Sequence, residues 1–116
     1  MIKMNGFDWH YEGETDLDGN AAGWGSATDV KYKYSGLFLD NKVEGTIIRT
    51  DSGGDTFVFE SHSGFMHGRG THYGFRIINK VHGNGVLVSE EDVTETPEKA
   101  YYTKSGKPLC APLKQD

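Results

Sequence analysis

Residues 9–25 read Trp9-His10-Tyr11-Glu12-Gly13-Glu14-Thr15-Asp16-Leu17-Asp18-Gly19-Asn20-Ala21-Ala22-Gly23-Trp24-Gly25, and their pattern decides the fold. Phe7, Trp9 and Tyr11 alternate with Asp8, His10 and Glu12, so the rings fall on one side of an extended chain, the spacing of a half-buried strand. Asp18-Gly19-Asn20 then offers a positive-φ turn at low steric cost. In Gly23-Trp24-Gly25 both glycines point to the same strand face, leaving bare backbone on which a neighbouring ring can lie. Strand, turn and bare strand together make a hairpin.

The same text returns. Tyr11, Tyr34 and Phe57 are equally spaced along the chain, and each begins a stretch that ends in Gly-x-Gly or a near equivalent. The first copy carries Tyr11, Gly13, Gly23 and Gly25; the second carries Tyr34, Gly36 and Gly45; the third carries Phe57, Gly68 and Gly70. A further pair, Gly83 and Gly85, follows too soon after Gly68 to keep the period and marks a shortened or capping copy. A hairpin of this kind cannot bury its own apolar face, so stacked copies must create the core between them. The expected ladder lays Tyr11, Tyr34 and Phe57 over Gly25, Gly36 and Gly68.

Further alternation at Tyr32 and Tyr34, and at Phe57 and Phe59, marks strands. Short apolar stretches at 46–48, 75–78 and 86–88 lie between turn residues such as Asp40-Asn41, Asp51-Ser52-Gly53-Gly54 and Ser63-Gly64. The chain up to residue 89 therefore reads as an all-β antiparallel meander. The last part changes character: Thr96 suits a helix N-cap, Pro97 the first helical position and Gly106 a stop, which predicts a short helix over 97–104. Its Ala100 and Tyr101 or Tyr102 would cover the open end of the sheet. Residues 1–110 are expected to form one domain and 111–116 a flexible tail.

With 116 residues the chain has room for a single core, and 14 aromatic residues give it something to bury. Sixteen glycines without collagen's triplet are positional devices of a β-rich fold. No apolar run is long enough to span a membrane, and the N-terminus lacks a secretory pattern. With one cysteine, Cys110, no intrachain disulfide forms, and a cytoplasmic location is expected. The net charge of −5 argues against wrapping nucleic acid. Residues 61–88, however, hold no acid, with Arg69, Arg76, Lys80 and four of the five histidines.

The repeat resembles the MORN repeat, whose form is Tyr-x-Gly-x-Phe/Trp, then Gly, then Gly-x-Gly, often with His before the last pair. His67-Gly68-Arg69-Gly70 and His82-Gly83-Asn84-Gly85 match that ending, and the resemblance covers about residues 9–88. Departures mark it as degenerate: Thr15 and Ser61 stand at the expected aromatic position, Ile47 replaces a glycine, the first copy has an extra residue, and the fourth falls out of register. The resemblance implies stacked hairpins, protein–protein scaffolding and contact with phospholipid headgroups.

Chemical motifs are scarce. Asp16-Leu17-Asp18-Gly19-Asn20 begins like a calcium loop, but Ala21 and Ala27 occupy the positions that need glycine and a bidentate acid, which leaves a hairpin turn. Histidines 62, 67, 72 and 82 lack the short spacings of a zinc site, so no metal and no cofactor is expected. Cys110, in Pro108-Leu109-Cys110-Ala111-Pro112, reads as a packed or idle thiol. No nucleophile-elbow, phosphate-loop or zincin motif is present.

Non-enzymatic binding through the glycine and aromatic sheet surface is the function that this pattern fits. The expected partner is another protein, and an enzyme held in inhibition or an anionic phospholipid headgroup would satisfy the same surface. A homodimer through exposed edges is also expected. The candidate contact residues are His67, Arg69, His72, Arg76, Lys80 and His82; His67 and Arg69 share one strand face and His72 and Arg76 the other. They fit either a contact site for an anionic surface or solvated turn residues. The rival class is a small enzyme with a His/Arg site in a sheet groove, built from His67, Arg69 and His72.

Overall fold

A computed structural model describes residues 1–4 and 6–109. Cys110 and the tail expected over 111–116 lie outside the described residues. Nine strands form one antiparallel sheet in strict sequence order: β1 (Ile2–Met4), β2 (Phe7–Thr15), β3 (Ala21–Thr28), β4 (Tyr32–Leu39), β5 (Lys42–Asp51), β6 (Thr56–His62), β7 (Phe65–Tyr73), β8 (Ile77–Gly83) and β9 (Val86–Asp92). Each strand pairs only with its chain neighbours, so the all-β meander is established. The turns use the residues that their geometry needs: Asp40 and Asn41 have φ of 53° and 62°, and the Asn41 side chain accepts a hydrogen bond from the Ala21 amide at 2.6 Å.

The equal spacing of Tyr11, Tyr34 and Phe57 has a direct structural meaning. Residues opposite one another run in a row across the sheet as Tyr11, Ala27, Tyr34, Arg49, Phe57, His72, Ile78 and Asp92. Tyr11, Tyr34 and Phe57 therefore occupy equivalent sites on alternate strands. The adjoining row reads Gly13, Gly25, Gly36, Ile47, Phe59, Gly70, Lys80 and Glu90. Three consecutive glycines leave β2–β4 bare there, and the first of them has φ of 151°. A Cβ on Gly13 would come within 2.4 Å of the Gly25 Cα, so no larger residue fits that approach without a shift.

The ladder itself differs from expectation in two of its three rungs. The Tyr11 ring does lie over Gly25, where an added Cβ would meet its hydroxyl at 2.4 Å. Gly36 is covered by the Ile47 side chain, because Ile47 stands where a glycine was expected and fills the space itself. Phe57 and Phe59 reach Gly70 rather than Gly68, because Phe59 stands directly opposite Gly70 and Phe57 opposite His72, with Gly68 further along the strand. Gly68 instead faces Glu60. Tyr34, freed from a glycine, packs edge-on against Trp9 at 5.2 Å and Phe59 at 6.4 Å.

The face that carries these rings, here the aromatic face, holds the main core: Ile2, Met4, Trp9, Ala21, Ala27, Phe38, Val43, Ile47, Phe57 and Phe59. Among the described residues, the opposite face is covered over β6–β8 by the C-terminal segment, whose Gly106 also reaches Ile48 on β5. There Val58, Thr71 and Asn79 stand in one row and are buried with Val93, Ala100 and Tyr102.

That segment is not the helix expected over 97–104. One 3-10 turn, Pro97–Lys99, is all that forms, and Thr96 makes no side-chain cap. Ala100 turns extended (φ −59°, ψ 143°) because the next two amides leave the helix for the sheet. Tyr101 N–H is shared between Thr71 Oγ1 and Asn79 Oδ1, both at 3.0 Å, and Tyr102 N–H reaches Thr71 Oγ1 at 3.2 Å. Gly106, with φ of 89°, closes a tight turn between Thr103 and Lys107 instead of stopping a helix. The segment thus covers a face, and no described residue pairs with the outer edge of β9.

Candidate functional site

Alternation of side chains divides the basic island. Arg69 points to the covered face, where its guanidinium lies 5.1 Å from the centre of the Tyr101 ring. His67 sits at the hairpin end and accepts a hydrogen bond from the Asn84 amide at 3.1 Å. Arg76 is held by Asp92, whose carboxyl that guanidinium keeps well below the ordinary range. His62 is paired with Glu44. These four are tied down separately, and the structure does not bring the island together in one place.

His72, Lys80 and His82 do come together, on the aromatic face, and a residue from outside the island joins them. Arg49, from β5, stands opposite both Tyr34 and Phe57. Its guanidinium lies 4.6 Å from the Tyr32 ring centre and 5.2 Å from that of Phe57. Lys80 Nζ is 5.6 Å from the Phe57 centre, and the His72 and His82 rings are 5.9 and 6.1 Å away. Phe57 is thus a buried hub from which four half-buried nitrogen bases, contributed by β5, β7 and β8, project. Cation–π attraction holds the arginine and lysine against apolar surface that would otherwise be wet.

The electrostatics of this cluster are lopsided. Among the described residues neither Arg49 nor Lys80 forms an ion pair. His72 lies 3.5 Å from Asp55, yet its pKa is pushed down, by burial first and then by Lys80, with Asp55 and Asp51 opposing and Arg49 adding to the fall. His82 is pushed down by burial, Lys80 and Arg49. Glu90, opposite Lys80 in register, is exposed on β9. Both imidazoles therefore favour their neutral form beside two fixed positive charges, which suits an incoming anion.

Other features of the described residues are less pointed. No group of three or more His, Cys, Asp and Glu side chains there is placed to hold a metal ion. Asp16, in the calcium-like stretch, uses its Oδ1 to accept the Asp18 and Asn20 amides, both at 2.9 Å, and so closes the turn. A shallow depression of about 240 Å3 on the opposite face lies between Trp24, Ile48 and Gly106. No described helix is long and apolar enough to cross a membrane. No protein-family model matches the chain, and a search of curated proteins finds no match.

Proposed function

We propose that the protein is a non-enzymatic binding module, a degenerate array of MORN-like hairpins acting in the cytoplasm, whose aromatic face holds an acidic segment of a partner protein. The observation that carries the reading is the cluster of Arg49, His72, Lys80 and His82 around Phe57, in which Arg49 and Lys80 form no ion pair with any described carboxylate. Charge left unpaired beside a low-dielectric surface attracts an anion more strongly than the same charge in open water. A protein that blocks an acidic enzyme surface is one form of this activity. An anionic phospholipid headgroup is the runner-up partner, and the exposed sheet edge supports self-association.

Titration with a labelled oligoglutamate peptide tests the reading. The R49Q/K80Q variant should bind about tenfold more weakly or worse, the range for losing close charge pairs. Arg69→Gln, on the other face, should bind as the parent does, and added salt should weaken the parent's binding. Equal affinity of parent and R49Q/K80Q would remove the cluster as the contact site. Binding to phosphatidylserine vesicles without binding to the peptide would replace the protein partner by the headgroup.

A further inference from the structure

The two edges of the sheet are unlike. At one, β1 is three residues long and covers only Phe7, Asp8 and Trp9 of β2; the rest of that edge, residues 10–15, carries His10, Glu12 and Glu14 and is broken by an irregularity between Gly13 and Thr15, devices that discourage another strand. At the other, β9 is seven residues long and exposed throughout. Val86, Leu87 and Val88 are 65, 46 and 68% exposed, and Phe65, itself exposed, lies beside Gly85. Three consecutive apolar residues point to alternate faces, a composition that suits a strand paired on both sides rather than a free edge. The C-terminal segment, which could have covered this edge, lies on the sheet face instead.

Charge selects the occupant and the register. Glu90, Glu91 and Asp92 form the other half of β9. An in-register parallel copy would set each acid against itself. Antiparallel pairing centred on Ser89 would bring the two Glu90 side chains within two residues of one another, about 7 Å along the strand. Antiparallel pairing centred on Leu87 puts Val86 opposite Val88 and Gly85 opposite Ser89. The two Glu90 residues are then six residues apart, about 20 Å, well past the screening length of about 8 Å at physiological ionic strength. The apolar triplets meet and the acidic triplets lie at opposite ends.

We propose that a second copy of this chain pairs with the outer edge of β9, antiparallel about a two-fold axis at Leu87. Backbone hydrogen bonds between the two β9 strands make the contact, and Val86, Leu87 and Val88 of both copies enclose it. A two-fold axis normal to the sheet leaves the same face of both copies exposed on the same side. Leu87 stands opposite His82 in register, so the two cationic clusters would then flank one seam and grip a doubly acidic partner together. That consequence rests on the binding-module reading; the pairing itself does not.

Sedimentation equilibrium and disulfide trapping of the full chain test it. The parent should sediment as a dimer well above micromolar concentration, with a melting temperature that rises with concentration, and V86K/V88K as a monomer with an unchanged circular dichroism spectrum and a melting temperature independent of concentration, since both side chains are exposed. In a Cys110→Ser background, Leu87→Cys should cross-link on oxidation, because residues facing each other across an antiparallel pair have Cα atoms about 4.5–5.5 Å apart, within disulfide range. Glu91→Cys should not. A monomeric parent, a V86K/V88K dimer, or trapping through Glu91→Cys and not Leu87→Cys would each overturn the proposal. Comparing oligoglutamate binding by V86K/V88K with that by V86K/V88K carrying R49Q/K80Q reports on the binding module separately, so the two readings can fail independently.

Discussion

Replacing Asn79 with alanine should loosen the C-terminal segment before it loosens the sheet. Asn79 is 2% exposed; its Oδ1 accepts from Thr71 Oγ1 at 2.9 Å and from Tyr101 N–H at 3.0 Å, and its Nδ2 donates to the Lys99 carbonyl at 2.9 Å. Truncation removes three hydrogen bonds with a net worth of about 1 kcal/mol each and strips the Lys99 carbonyl of its side-chain donor. Tyr101 N–H keeps Thr71 Oγ1, which limits the damage. The expected loss is about 2–4 kcal/mol, read as a lower urea midpoint followed by circular dichroism. Trypsin should cut at Lys99 and Lys104 at denaturant concentrations where the parent resists. Thr71→Val should be non-additive with it, because the two side chains share one amide proton. A loss under about 0.5 kcal/mol, the scatter of ordinary surface changes, with no gain in cleavage would refute the clamp.

Gly25→Ala should destabilise by about 1–3 kcal/mol, because its Cβ would fall 2.4 Å from the Tyr11 hydroxyl, whereas Gly53→Ala, whose nearest neighbour is Asp51 Oδ1 at 3.4 Å, should be near neutral. Equal urea midpoints for the two variants would remove the ring-on-glycine contact. Tyr34→Ala should lose about 3 kcal/mol, a half-buried aromatic truncation, and a loss below about 1 kcal/mol would sink the aromatic row. Stability should be highest above about pH 6.5, where the unfolded-state imidazoles are already neutral, and should decline as pH falls toward the depressed folded values of His72 and His82. H72Q/H82Q should flatten that decline above pH 5, where the depressed carboxylates of Glu44 and Asp92 still hold their charge; an unchanged slope contradicts it. For the same reason anion binding should go on strengthening below pH 6.5, where exposed histidines have mostly charged.

The strands were legible because alternation is a local signal, and the row of Tyr11, Tyr34 and Phe57 because a strand pair consumes a fixed length of chain. Neither clue reaches across the sheet. The rungs over Gly36 and Gly70 depend on Ile47 and on the pairing of Phe59 with Gly70, which only the assembled pairs reveal. Val58, between Phe57 and Phe59, points to the other face of the strand and is buried because the C-terminal segment, far along the chain, lies upon it. The helix expected from Thr96, Pro97 and Gly106 lost to hydrogen bonds offered by Thr71 and Asn79, partners distant in sequence. In the candidate site, His72, Lys80 and His82 came from a visible charge pattern. Arg49 did not, since it lies in an acidic stretch; that it follows Tyr34 at the same interval as His72 follows Phe57 was the available signal.

Because every strand hydrogen-bonds only with its chain neighbours, the backbone behaves mechanically as a ribbon folded back and forth on itself. Pulled by its ends, such a ribbon peels from its edges, each released strand handing the load to the next. From the N-terminal side nothing outside the sheet interrupts that order: β1, then β2, then β3 can come away in turn. The C-terminal side is latched, since Tyr101 and Tyr102 must let go of Asn79 on β8 and Thr71 on β7, one and two strands inward, before load reaches β9. The half of the sheet that carries Arg49, His72, Lys80 and His82 is therefore the half that holds longest under tension.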